Sequence, residues 1–156
     1  MTYTGNVTVG GRADVRELAG LTVSKLAVGE YDNNAYLLRC TATGRQVLVD
    51  AAAEPERLLE LIGEDGIDAV VTTHAHRDHW AALAEVVAAT GARTVAHEAD
   101  ADDIGVPVDE RVPDGARITV VSTCHGTSHL ISAVELNVLV PSSTKGIEKV
   151  NVAVTV

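Results

Sequence analysis

Apolar positions in this chain fall in short runs of two kinds, and their spacing predicts the elements. "LTVSKLAV" (21–28) has strand character. "NAYLLRCTATGRQVLVDA" (34–51) reads as a β-hairpin whose two apolar runs flank Ala42-Thr43-Gly44-Arg45, with the glycine supplying the turn. "PERLLELIG" (55–63) predicts a short helix. Pro55 suits its first turn, Leu58, Leu59, Leu61 and Ile62 form its apolar stripe, and Gly63 or Gly66 ends it. "IDAVVTT" (67–73) is strand-like, "WAALAEVVAATG" (80–91) is a helix rich in alanine closed by Gly91, and "RTVAHEA" (93–99) is another short strand. Strand, helix, strand, loop, helix, strand is the alternation of an α/β layered fold. Residues 1–20 show no such pattern and read as a loosely ordered lead-in.

Composition shifts near residue 118. Upstream, Ala, Asp, Glu, Arg and Gly dominate; downstream, Ser, Thr, Val and Asn take over, and the two lysines there balance the two glutamates. The downstream part still alternates like β-structure in "RITVVS" (117–122), "ISAVELNVLV" (131–140) and "VNVAVTV" (150–156). The expectation is one domain over 1–156, with 118–156 as a divergent β-rich tail; 156 residues suffice to bury a core. Aromatics make up only 3% of the chain, so that core must be built from small aliphatic side chains. The net charge of −10 leaves no basic patch for phosphates, which argues against nucleic acid as a partner. No apolar run approaches the roughly 18 residues that span a bilayer, and the first residues lack the apolar core of a signal peptide. A cytoplasmic location with no membrane partner is the expectation. Cys40 and Cys124 form no CxxC and would be free thiols in a reducing compartment.

The chemistry concentrates in "TTHAHRDHW" (72–80), where three histidines and an aspartate occupy six positions. Imidazole and carboxylate are the usual ligands of zinc and of harder first-row metals. His74 and His76 are two apart, so in an extended segment they point the same way and can share one ion. Asp78 and His79 follow where the chain turns toward the helix, beside the first pair. One loop can thus offer two ligands to each of two neighbouring ions, at the carboxyl end of a strand where ligands collect in open α/β sheets. Zinc, as one ion or two, is the expected cofactor, with iron or manganese as the alternatives. Asp78 could also orient a bound water or act as base. His97, on the following strand, reads as structural.

With these residues in view, the sequence resembles the metallo-β-lactamase fold superfamily of hydrolases. "HAHRDH" matches that family's HxHxDH motif at every specified position. "DNNAYLL" (32–38), "VLVDA" (47–51) and "TVAHEADA" (94–101) are similar to the strands around it. The resemblance covers roughly residues 21 to 130 and implies αββα layers, here mainly the N-terminal αβ half. It makes Asp50 a residue that supports the metal loop from behind. It also implies a third histidine for the first ion on a later loop. "STCHGTSHL" (122–130) is similar to that loop of glyoxalase II-type thioesterases, which favours His125, with His129 as the alternative ligand.

The sequence also departs from the family. The bridging aspartate and last histidine of the second ion have no counterpart, because no Asp follows Asp114 and no His follows His129. Two expectations follow: a truncated or altered product, or a compact variant that completes itself by homodimerisation through an open sheet edge and face. The functional expectation is a metal-dependent hydrolase acting on a small molecule. In it a metal-bound hydroxide attacks an ester, thioester or lactam carbonyl, and the glyoxalase II-like loop tilts the choice toward thioesters. The alternatives are a metal-binding remnant without turnover and a half-fold that docks on a partner.

Overall fold

The computed structural model describes residues 3–116, 118–119, 135–138 and 152–155. A seven-stranded mixed sheet forms the body. Its strands are β1 (Asp14–Leu18), β2 (Leu21–Val28), β3 (Asn33–Cys40), β4 (Gln46–Val49), β5 (Ala69–Thr72), β6 (Arg93–His97) and β7 (Glu110–Val112). They lie in sequence order. β1 to β4 are antiparallel neighbours, and β4 to β7 are parallel. Helix α1 (Pro55–Ile62) links β4 to β5, and α2 (Leu83–Thr90) links β5 to β6. Three further strands, β8 (Ile118–Thr119), β9 (Glu135–Val138) and β10 (Val152–Thr155), pair antiparallel in a second sheet.

The period of two along the strands sorts side chains into two cores. Leu37, Leu48 and Val70 lie opposite one another across β3, β4 and β5 and face α1 and α2, where Leu58, Ile62, Leu83 and Val86 meet them. One residue along, Leu38, Val47 and Ala69, and likewise Tyr36, Val49, Val71 and Val95, belong to the other face with Ile118. β4 and β5 are buried on both faces, which explains their unbroken apolar runs. The second face is covered as well: Val47, Val49, Val71 and Val95 are at most 1% exposed.

Local chemistry sets the boundaries. Pro55 starts α1 and Gly63, at φ 68°, ends it, as the sequence predicts. Only Leu58 and Ile62 of its stripe are fully buried; Leu59 and Leu61 flank them. Gln46, nearly fully buried at the start of β4, donates from Nε2 to the carbonyls of Ile62 (3.0 Å) and Gly66 (2.8 Å). It thereby satisfies the end of α1 that lacks intrahelical partners.

Two expectations need correction, and one strand has no counterpart among them. Residues 14–18 of the supposed lead-in form the edge strand β1, and Asp14 accepts hydrogen bonds from the backbone N–H groups of Thr4 (2.8 Å) and Gly5 (2.7 Å). These local polar contacts, not an apolar pattern, order the segment. The helix expected from residue 80 begins at Leu83, because residues 77–79 take a tight 3₁₀ turn first. β7 carries no periodic signal; it forms because Asp109, just before it, accepts from Thr94 N–H and aligns β7 with β6. No helix among the described residues is long and apolar enough to cross a membrane.

Candidate metal centre

The histidine loop leaves the carboxyl end of β5, one strand over from the end of β4, where Asp50 sits. Asp50 is 5% exposed and has φ 60°, a left-handed conformation that aspartate tolerates and that is uncommon for any residue but glycine. The turn aims its carboxylate at the loop. Oδ1 accepts from Thr73 N–H (2.8 Å), and Oδ2 accepts from the Thr73 hydroxyl (2.8 Å) and from His79 Nδ1 (2.8 Å).

This network fixes the imidazole tautomers. The Thr73 hydroxyl has one hydrogen, and it goes to the carboxylate. Thr73 Oγ1 lies 3.0 Å from His74 Nδ1, so that nitrogen must be the donor, which leaves a lone pair on His74 Nε2. His79 likewise commits Nδ1 to Asp50 and, when neutral, keeps a lone pair on Nε2. One buried carboxylate thus presents two imidazoles with the same edge outward, the arrangement expected behind a metal site.

The outward edges converge in part. His74 Nε2 and His76 Nδ1 are 2.9 Å apart, in hydrogen-bond contact and a few tenths of an ångström closer than the roughly 3.3 Å between two nitrogens held tetrahedrally by one ion at about 2.0–2.1 Å each. The rings of His74 and His79 are tilted with centroids 4.0 Å apart. His79 Nε2 lies 3.9 Å from Asp78 Oδ2, wider than the roughly 3.3 Å of two ligands on one tetrahedral ion. The donor types fit a metal, and a shift of a few tenths of an ångström would bring His74 and His76 to ligand spacing. Among the described residues, no three of these groups close around a single point. His125 and His129 lie outside the described residues, as does Cys124.

Charge favours the same reading at His74 and Asp78. Burial pushes the His74 pKa below its ordinary value, and the neighbouring His79 lowers it further, so the ring stays neutral and able to donate a lone pair. Burial pushes His79 the same way, but the hydrogen bond and charge of Asp50, with Asp78, outweigh it and raise the net value. Asp78 is held below the usual carboxylate range by the Asn33 side chain. Asn33 Nδ2 donates both to Asp78 Oδ2 (2.9 Å) and to its backbone carbonyl (2.8 Å).

Sequence reasoning missed Asn33 and Thr73, whose signal is positional: each stands at a strand end facing the loop. His97 stays apart from the cluster. It is buried, its Nδ1 accepts from Ala99 N–H (3.0 Å), and its Nε2 lies 3.5 Å from Asp114. Beside the loop, a cavity of about 550 Å³ opens between the β2–β3 turn and residues 77–81. Ala52, Ala53 and Ala81 line it with Tyr31, Asn33, Arg77 and Asp78. Gly29 at its rim has φ 77°, and a side chain there would begin 2.9 Å from the Ala53 Cβ.

Comparison with known proteins bears on the family. Among curated proteins, the chain is 38% identical over 91 residues to a hydroxyacylglutathione hydrolase from Fuscovulum blasticum, covering 57% of this chain and 35% of that protein. It is 33% identical over 105 residues to the one from Rhodospirillum rubrum, covering 66% and 40%. The chain thus spans well under half the length of these relatives. Among solved structures, a class B3 di-zinc metallo-beta-lactamase from an Alaskan soil metagenome superposes with a TM-score of 0.58. It has 22% identity, over 82% of this chain and 51% of that one, and shows the shared fold. A protein solved in a di-iron-bound form matches at 0.51 with 29% identity, over 60% and 56%. Residues 28–134 match the metallo-beta-lactamase superfamily, and with the fold and the HxHxDH loop in place, this chain belongs to that superfamily.

Proposed function

We propose that this chain carries the metal-binding half of a hydrolase site that acts on a carbonyl ester, with a thioester as the favoured substrate class. The observation that carries the reading is the approach of His74 Nε2 to within 2.9 Å of His76 Nδ1, with Asp50 fixing the free edge of His74 through Thr73 and that of His79 directly. His74 and His76 would hold a first ion with His125, or with His129 in its place. Asp78 and His79 would begin a second site. When bound, zinc or a related metal supplies a nucleophile at neutral pH and a Lewis acid for the carbonyl.

The chain's own residues do the rest. Asp50 orients His79 directly and His74 through Thr73. Asn33 holds the Asp78 carboxylate ionised at the cavity edge, where it can orient a water or take a proton. The alanine-lined cavity beside it has the size of a small-molecule pocket. The thioester preference draws on the similarity to hydroxyacylglutathione hydrolases. A second reading, metal binding without turnover, is favoured by the donor count, since no three described groups converge.

The test is metal content of purified protein after zinc reconstitution, followed by turnover of a hydroxyacylglutathione thioester and a lactam. Near-stoichiometric zinc that His76→Ala abolishes supports the ligand set; less than about a tenth of an equivalent in wild type sinks it. Zinc uptake with no hydrolysis of either substrate favours the second reading.

A further inference from the structure

We propose that Asp100 and Trp80 are positioning residues that clamp the two peptide groups flanking Ala75 and so set the separation of His74 and His76. The proposal rests on the metal-site reading above and adds to it two residues that bear no ligand role.

Ala75 sits between the two histidines, after β5 ends at Thr72 and before the 3₁₀ turn starts at Arg77. Its backbone groups therefore have no strand or helix partner and must find others. They find one each. Ala75 N–H donates to Asp100 Oδ1 at 3.1 Å, and the Ala75 carbonyl accepts from Trp80 Nε1–H at 2.8 Å. The first bond holds the His74–Ala75 peptide group and the second the Ala75–His76 peptide group, so neither plane can rotate without breaking a bond. That rotation is the motion that would swing the flanking imidazoles apart.

Both anchors are themselves held. Asp100 lies in the turn after β6, where its own N–H and that of Ala101 donate to the His97 carbonyl at 3.0 Å. Trp80 is half-buried against the α1 and α2 core, and its backbone N–H donates to the Arg77 carbonyl at 3.1 Å. Its ring occupies the space above Gly105, where a Cβ would begin 2.7 Å from Cη2. The clamp thus ties the histidine loop to a segment 25 positions away. Its chemical role is preorganisation: two nitrogens already 2.9 Å apart need little ordering when an ion arrives.

The test uses the full chain and three variants: Asp100→Ala, Asp100→Asn and Trp80→Phe. Two readouts are taken: zinc affinity by chelator competition with the visible spectrum of the cobalt form, and NMR of the metal-free protein. The expected result for Asp100→Ala and Trp80→Phe is a loss of about tenfold or more in zinc affinity, with an altered cobalt spectrum. The Ala75 amide should exchange faster with solvent in Asp100→Ala, and the nuclear Overhauser contact between the His74 and His76 rings should weaken in both. Asn at position 100 keeps an acceptor oxygen and should restore most of the affinity. If Asp100→Ala lowers Tm but leaves affinity, spectrum and ring contact unchanged, the residue is merely structural and the proposal falls. If wild type takes up no zinc, the metal reading fails, and the NMR readout alone then decides the clamp. An Ala75 amide that exchanges equally slowly in Asp100→Ala and wild type overturns it.

Discussion

Asp50 shows how much one side chain can organise. It is buried, stands in a left-handed turn, and accepts three hydrogen bonds that fix two imidazoles. Asn tolerates the same backbone conformation, so Asp50→Asn removes the charge with little backbone strain. Loss of a partner of this kind typically costs 10–100-fold in metal affinity. We expect a zinc Kd raised by about that factor, measured by chelator competition on the folded variant. Asp109 acts on stability instead. Its carboxyl is held below the ordinary value of 3.8 by the Thr94 backbone N–H, then by the Thr94 hydroxyl. The folded state therefore favours the ionised form. Its contribution is complete above the unfolded value and is lost as pH falls through the lower folded-state value. Asp109→Asn should flatten the acid side of a Tm-against-pH curve below about pH 4; an unchanged curve would show that the carboxylate contributes nothing there.

At the scale of elements, register decides what each residue does. Leu48 stands in the middle of the Leu37–Leu48–Val70 row and is fully buried against the helices. Leu48→Ala should cost about 2–5 kcal/mol, read from urea denaturation with an unchanged slope. The contact between the 98–109 segment and the histidine loop is equally specific. Gly105→Ala places a methyl group within 2.7 Å of the Trp80 ring, which must shift. Overpacking of this kind costs about 1–3 kcal/mol. Trp80 is the chain's single tryptophan, so its fluorescence reports the displacement directly. An unshifted emission maximum in a folded Gly105→Ala protein would count against the packing described.

At the scale of the molecule, metal and fold should be linked. A ligand that binds only the folded state stabilises it by about 2.7 kcal/mol at a hundred times its Kd. Zinc should therefore raise Tm, a chelator should reverse the rise, and His74→Ala should abolish it while leaving the metal-free Tm nearly unchanged. The sheet edges bear on association. β1 is exposed and carries Asp14, Arg16 and Glu17 beside Val15 and Leu18, so charge interrupts the apolar surface that a neighbouring strand would cover.

Local pattern alone predicts the two helices, the central strands and the identity of the histidine loop. Each rests on a local cause: Pro55 and Gly63 at helix ends, period-two burial across the hairpin, four ligand-type residues in six positions. It did not determine β1, β7, the delayed start of α2, or the roles of Thr73, Asn33, Asp100 and Trp80. Those depend on partners far away in the chain. Thr73 meets Asp50 from 23 positions off, Asn33 meets Asp78 from 45, and Ala75 meets Asp100 from 25. A single polar side chain carries no periodicity, so nothing in its own neighbourhood announces such a bond. Only the folded sheet, by bringing the ends of β4, β5 and β6 side by side, decides which nitrogens of the histidine loop face outward.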